Sequence, residues 1–316
     1  MRATPVDRLP RDEERWAFEV KWDGVRALAY VYDGRVVVQS RSGRDVSPEY
    51  PELEALSGLD RCVLDGEVVA LDPAGRPRFE LLQQRINIRG GPAGAQRRAT
   101  TPIVYLVFDV LYAGGDSCMG RPYEERRATL ADLDMPGGIV QVPRHHVGEG
   151  SALLAATRAN ELEGLVAKRL GSLYVSGQRS RHWLKLKNFR RQELVVGGWM
   201  PGEGGRRGRL GALLVGYYDG GELRYAGRVG SGFSETELDR LGHLLAPLAA
   251  RSSPFADEPA LPADVKRSGR FVQPRLVAEV AFTEWTRSGT LRAPSYKGLR
   301  DDISPTDVRR ETAEEP

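Results

Sequence analysis

Phe18-Glu19-Val20-Lys21-Trp22-Asp23-Gly24-Val25-Arg26 is the stretch on which the reading of this chain turns. It holds Lys-x-Asp-Gly-x-Arg at the point where an alternating strand pattern runs into a turn dipeptide. Asp-Gly alone justifies only an exposed hairpin turn with a lysine beside it. A chance match to all four fixed residues in a chain of this composition is on the order of one in a hundred, so the motif needs support from elsewhere.

Lysine usage gives some of that support. Of 46 basic residues only six are lysine: Lys21, Lys168, Lys185, Lys187, Lys266 and Lys297. A chain that uses arginine wherever a simple cation suffices keeps lysine where an amine must lose its proton and attack, or sit as a compact charge on phosphate. The lysines of the first half all fall in chemistry-bearing segments. Ser40-Arg41-Ser42-Gly43 offers a loop arginine, and Leu64-Asp65-Gly66-Glu67 puts a carboxylate inside an apolar strand. Tyr105-Leu106-Val107-Phe108-Asp109 sets an aromatic ring and an acid on a buried strand. Glu163-Gly164-Leu165-Val166-Ala167-Lys168 and Trp183-Leu184-Lys185-Leu186-Lys187 each end in lysine, and Lys185 and Lys187 share a strand face. Any one segment reads as a half-buried strand with a wet side; the ordered set does not.

Outward from the motif, residues 16–40 read as strands with an Asp33-Gly34 hairpin turn. Ser47-Pro48 opens a short helix to Leu56, followed by a strand from Cys62 to Leu71, a helix near Phe79 to Ile86 and a Gly-rich loop at 90–95. An apolar strand runs from Ile103 to Tyr112, helices begin at Pro122 and span Gly150 to Leu162, and strands follow at 164–168 and 183–187. The result is a mixed α+β domain over residues 1–191. Beyond Asn188-Phe189-Arg190-Arg191 the chain turns to short strands at Leu194–Trp199, Leu210–Tyr218, Glu222–Val229 and Arg275–Phe282. One helix interrupts them, opened by a Ser234/Glu237 capping box. This pattern predicts a small OB-type barrel over 192–303 and a polar tail at 304–316.

The 316 residues are enough for two such domains, and a net charge of +3 says little about nucleic acid by itself. Arginine clusters at 97–98, 126–127, 190–191, 206–209 and 309–310 are available to meet phosphates. The first residues carry no apolar core behind a basic flank, and no segment has the apolar length of a membrane span, so a soluble, cytoplasmic protein is expected. Cys62 and Cys118 are too few for a disulfide framework or a four-cysteine zinc site. His145-His146 lacks partners at ligand spacing and reads as a surface loop.

With those segments in place, the chain resembles the covalent nucleotidyltransferase superfamily, and within it the ATP-dependent DNA ligases of the bacterial end-joining type, over about residues 16 to 303. The resemblance implies a nucleotidyltransferase (adenylation) domain followed by the OB domain. It makes Lys21 the nucleophile that takes AMP from ATP, and has Glu19 read the adenine while Phe108 stacks on it. Arg26, Arg41 and Glu67 would meet the ribose and its surroundings, Lys185 and Lys187 the α-phosphate, and Arg179 a further basic position. Glu163, with Glu67, would hold Mg2+ or Mn2+. Lys168, Lys185, Lys187 and the metal would surround Lys21 with positive charge and favour loss of its proton. Near the end, Arg300 and Asp302 match the family's terminal pyrophosphate-binding element, but Ile303 stands where that element has lysine; Lys297 is the nearby candidate substitute. The implied substrate is nicked or broken duplex DNA, sealed by a monomer away from membranes, with a Ku-like end-binding protein as a possible recruiting partner. An RNA ligase or capping-type enzyme shares the lysine motif, and a non-catalytic OB-containing nucleic-acid binder is the reading of a different class.

Overall fold

The structure is a computed structural model that describes residues 1–86, 91–188, 190–202, 209–286 and 288–311. The chain divides into two compact units, Met1–Asn188 and Phe189–Glu311.

In chain order the first unit has strands β1 (Arg2–Pro5), β2 (Trp16–Lys21), β3 (Val25–Tyr32), β4 (Arg35–Ser40) and β5 (Cys62–Ala70). Helices α1 (Phe79–Leu82) and α2 (Gly91–Thr100) precede β6 (Ile103–Ala113) and the short β7 (Asp116–Ser117). Then come α3 (Tyr123–Asp132), β8 (Val140–Gln141), β9 (His146–Val147), α4 (Gly150–Ala159), β10 (Gly164–Arg169) and β11 (Arg179–Lys187). One sheet has the order β1-β11-β10-β2-β9 and the other β4-β3-β5-β6-β7, with β8 parallel to β6. Alternation along the strands sets the faces. Trp16, Phe18, Leu165, Ala167, Leu184 and Leu186 pack the first sheet onto Leu153 and Leu154 of α4. Val25, Ala27, Ala29, Leu64 and Val68 turn the outer face of the second sheet onto the 47–58 segment and α1. The inner faces meet through Leu28, Val63, Phe108, Tyr174 and Trp183.

Several boundaries differ from the sequence reading for identifiable reasons. The Asp33-Gly34 hairpin is present, with both residues at positive φ between the paired Tyr32 and Arg35. The short helix expected from Ser47 to Leu56 is two 3-10 segments, Ser47–Glu49 and Pro51–Gly58, because Pro51 supplies no N–H to continue the first. The part of the expected 90–95 loop that lies within the described residues belongs to α2; Pro92 sits in its first turn, where a missing N–H costs nothing. β11 begins at Arg179 rather than 183 because β1, which has no strand pattern of its own, pairs with it in parallel from Arg2.

The second unit holds β12 (Arg191–Pro201), β13 (Leu210–Asp219), β14 (Glu222–Val229), α5 (Glu235–Leu245), α6 (Ala263–Ser268), β15 (Arg270–Ala281), β16 (Glu284–Trp285), β17 (Leu291–Arg292) and β18 (Ser295–Arg300). Its sheet has the order β14-β13-β12-β15-β18, five strands with α5 and α6 inserted between β14 and β15, an OB-type arrangement. Glu237 N donates to Ser234 Oγ at 3.2 Å, so α5 opens as expected, while the Glu237 carboxylate accepts from Tyr296 Oη instead of reaching back. Leu238, Leu241 and Leu245 of α5 pack into one side of the core. β15 starts earlier than Arg275 because Pro274 falls where the β12–β15 register shifts, so the ladder passes over it.

Candidate active site

The strands β2, β10 and β11 place the motif residues in rows. Gly164 is the register partner of both Lys21 and Lys187, Val166 of Glu19 and Lys185, and Lys168 of Ala17 and Trp183. The odd-numbered neighbours on β2 and β11 and the even ones on β10 point away from the α4 core, so Glu19, Lys21, Lys168, Lys185 and Lys187 share the inner face. Four lysines and one acid on one wall leave a strongly cationic floor suited to phosphate.

At the end of that wall the Lys21 ammonium is ion-paired with Glu163, whose other carboxylate oxygen lies 4.0 Å from Lys187 Nζ. Glu163 precedes Gly164, and the glycine is there for backbone reasons. Its φ is +146°, and a Cβ would stand 2.0 Å from the Leu186 carbonyl oxygen. Gly24 is also a close-approach glycine, not a turn glycine: a Cβ there would meet the Val68 carbonyl oxygen at 2.2 Å. The Asp-Gly of the lysine motif thus lets the chain pass tightly over β5 on its way from β2 to β3.

At the other end Lys168 is buried and donates to Glu19 Oε2 at 2.8 Å, to Oε1 at 3.0 Å and to the Phe108 carbonyl oxygen at 3.2 Å. Its ammonium lies 4.3 Å from the Phe108 ring centre and 4.5 Å from that of Trp183. Burial lowers the Lys168 pKa, and Glu19 works against that shift. Lys168 lies four residues along β10 from Gly164, roughly 13 Å by strand rise. The expectation that it crowds Lys21 is therefore corrected; its charge is committed to Glu19. Tyr123, at the start of α3, adds its hydroxyl to Glu19 Oε1.

The facing sheet carries the remaining acids. Arg26 grips Asp65 through Nε at 2.8 Å and Nη2 at 2.6 Å, and also donates to the Met1 carbonyl oxygen and Tyr174 Oη. Burial would raise the Asp65 pKa, but the guanidinium outweighs it and holds the carboxyl below its ordinary value. Glu67 is two residues further on the same face, paired across the sheet with Arg26 and Leu106. Phe108 sits at the bulge where the β5–β6 register shifts, beside Trp183 at a ring separation of 6.2 Å. Arg41 is exposed in the turn after β4, and Arg179 opens β11 with Nη1 on the Ala3 carbonyl oxygen. Sequence reasoning missed Asp65 as the anchor of Arg26, although its parity with Glu67 marks the shared face. Nothing in the sequence marks Tyr123.

Residues 3–187 match the family model for the ATP dependent DNA ligase domain, and residues 206–303 match that for the ATP dependent DNA ligase C terminal region. The chain belongs to the ATP-dependent DNA ligases. It is 43% identical over 300 residues to the multifunctional non-homologous end joining DNA repair protein LigD of Mycobacterium tuberculosis, covering 94% of this chain and 38% of that protein. Against LigD of Pseudomonas aeruginosa the identity is 39%, covering 98% of this chain and 36% of the relative. A DNA ligase of Thermococcus fumicolans is 33% identical, with 92% and 53% covered. This chain thus spans well under half the length of the LigD proteins it matches. Among solved structures, a mycobacterial DNA ligase D complexed with ATP and MES is 40% identical, covers 98% of each chain and superposes with a TM-score of 0.64.

Two features of this ligase-family chain differ from expectation. Arg126 and Arg127, a cluster that the sequence leaves available to phosphates, are buried; Arg126 is fully enclosed and holds Asp109 in a two-pronged pair at 2.8 and 2.9 Å. Burial pushes the Asp109 carboxyl above its ordinary value and Arg126 opposes that shift, so the two are enclosed as a pair. Arg206 and Arg207 lie outside the described residues, and Arg209 pairs with Glu235 and Asp239. His146 pairs with Phe18 in β9, and His145 sets its ring against Tyr123.

In the OB-type unit, Arg300 donates to Asp302 through Nε and Nη2, both at 2.8 Å, and to Glu279 at 2.9 Å. Burial opposes its charge, but the two carboxylates raise its pKa well above the ordinary value. Ile303 is buried beside Val195, Val277 and Val308, so the position that carries lysine in the family's terminal element is here part of the core. Among the described residues no three His, Cys, Asp or Glu side chains gather as a metal cage. Glu163, beside Lys21, offers a carboxylate oxygen of the kind that a hard divalent cation takes. No helix among the described residues is long and apolar enough to cross a membrane.

Proposed function

We propose that this chain is an ATP-dependent DNA ligase that seals nicks or breaks in duplex DNA during end-joining repair, through a lysyl-AMP on Lys21. One observation carries the reading: Lys21 and Lys187 flank Gly164 in register, with Glu163 holding the Lys21 amine. Lys21 Nζ, once it has released a proton, attacks the α-phosphorus of ATP. The N–P bond forms as the bond to pyrophosphate breaks, and Lys185 and Lys187 neutralise charge on the α-phosphate. AMP then passes to a 5′-phosphate, and the adjoining 3′-hydroxyl attacks that phosphate and expels AMP. The base lies between Phe108 and the Glu19 wall, the ribose near Arg26, Arg41 and Glu67, with Lys168 acting through Glu19 and Arg179 as a further basic position. A divalent metal, Mg2+ or Mn2+, is typical of the family and supplies charge neutralisation at the phosphates when bound; Glu163 and Glu67 are the residues to hold it. Arg300 belongs to the element that meets departing pyrophosphate. A Ku-like end-binding protein is the recruiting partner to look for.

The test pairs two assays on the purified chain. Labelling with ATP or GTP carrying a radioactive α-phosphate separates an adenylating enzyme from a capping one, and nicked DNA against nicked RNA separates the polynucleotide classes. A covalent adduct from ATP and sealing of nicked DNA are expected. Absence of any adduct overturns the reading in favour of a non-catalytic binder.

A further inference from the structure

Glu19 is held more tightly than base contact alone requires. Its carboxylate is buried at 3% exposure and engaged on both oxygens: Oε1 accepts from Tyr123 Oη and Lys168 Nζ, and Oε2 is ion-paired with Lys168 Nζ. A carboxylate has about four lone-pair sites, so Oε2, which takes no hydrogen bond from Tyr123, keeps acceptor capacity for a ligand. Both surrounding groups fix that outcome. Lys168 is itself pinned by the Phe108 carbonyl oxygen, and Tyr123 is fully buried, with Arg126 5.7 Å from its ring centre and His145 packed edge-on. Burial and the neighbouring Glu19 both raise the Tyr123 pKa, so its hydroxyl keeps the proton that it donates to the carboxylate.

We propose that Tyr123 is a specificity-determining positioning residue: by donating to Glu19 Oε1 it locks the carboxylate so that only an N–H donor on the purine 6-position is accepted. The proposal rests on the reading that Glu19 faces the base. With the lock in place the 6-amino group of adenine meets an acceptor, whereas the 6-oxo group of guanine or hypoxanthine meets an acceptor that cannot rotate away or exchange for a donor. Rejection of a mismatched polar edge at a buried, pre-oriented group is stronger than rejection by shape. Without the Tyr123 hydroxyl, Oε1 loses one of its two donors, and the carboxylate can turn about its last torsion away from a 6-oxo group.

The experiment is a competition between ATP and ITP, each labelled at the α-phosphate, in the same tube with wild type, Tyr123→Phe, Tyr123→Leu or Glu19→Gln. The ratio of AMP to IMP adduct does not depend on the fraction of folded protein. Both Tyr123 variants are expected to lose about tenfold of the preference for ATP, the scale of one charge-assisted hydrogen bond. In Tyr123→Phe this loss is expected as a lowered KM for ITP with kcat of self-labelling unchanged, a split that a general packing defect would not give. If Glu19→Gln loses the preference and both Tyr123 variants keep it, the lock is overturned while Glu19 stands as base reader. If all variants keep the wild-type ratio, the base reading fails as well; if wild type makes no adduct from either nucleotide, nucleotidyl transfer itself fails.

Discussion

The Lys21 ammonium is paired with Glu163, and Glu163 is the residue before Gly164, the strand partner of Lys21. One short segment therefore both sets the height of the nucleophile in the sheet and holds its charge. Replacing Glu163 with Gln keeps the shape but removes the negative charge that orients Lys21 and offers an oxygen ligand to metal. Self-adenylation by Glu163→Gln is expected to fall about 100-fold, the usual range for a charged group of this kind. Single-turnover labelling measures it, and a rate within twofold of wild type, by roughly the scatter of such assays, counts against the role.

Gly164→Ala tests the geometry of the same row. The added Cβ would collide with the Leu186 carbonyl oxygen, and the positive φ would strain any L side chain. A loss of at least about 2 kcal/mol is expected in urea unfolding, with parallel loss of adduct formation. Full stability would mean that the strand crossing is looser than described.

Stability in acid is predicted to depend on Asp65. Its folded pKa lies below the ordinary carboxyl value of 3.8 because of Arg26, so between the two values the unfolded chain binds more protons. The contribution is complete above 3.8 and is lost as pH falls through the folded value. Asp65→Asn should flatten the acid limb of a stability profile and cost roughly 2–3 kcal/mol near neutrality, below the range for a wholly enclosed pair because Arg26 keeps some exposure. An unchanged acid limb would contradict this.

Arg300→Ala separates two roles. If the residue served departing pyrophosphate alone, the variant would fail to charge with ATP yet still seal a nick supplied already adenylated. Its buried contacts to Asp302 and Glu279 predict more: two carboxylates left without their cation, about 3–5 kcal/mol lost, and both activities reduced together. Sealing of pre-adenylated DNA at full rate would restore the narrower role.

The sequence was most legible where chemistry and periodicity coincide. Lys185 and Lys187 stand two apart in one strand segment, so counting by two puts them on one face before any coordinates. The OB-type unit was legible from its run of short strands and the Ser234 cap. What escaped depends on contacts distant in sequence. β1 exists because β11 offers it an edge, Arg126 is enclosed as a pair with Asp109, and Tyr123 reaches Glu19 across 104 positions. Ile303 could be seen to break the terminal motif, but not that it does so by entering the core.

Lys21→Arg tests the nucleophile most directly, since it keeps the charge beside Glu163 and removes only the ability to present a free amine. The measurement is incubation with α-labelled ATP, denaturing electrophoresis and mass mapping of the modified peptide. Wild type should carry AMP on Lys21 and the variant none; a retained AMP band in Lys21→Arg, or AMP mapped to another lysine of the wild type, would contradict it.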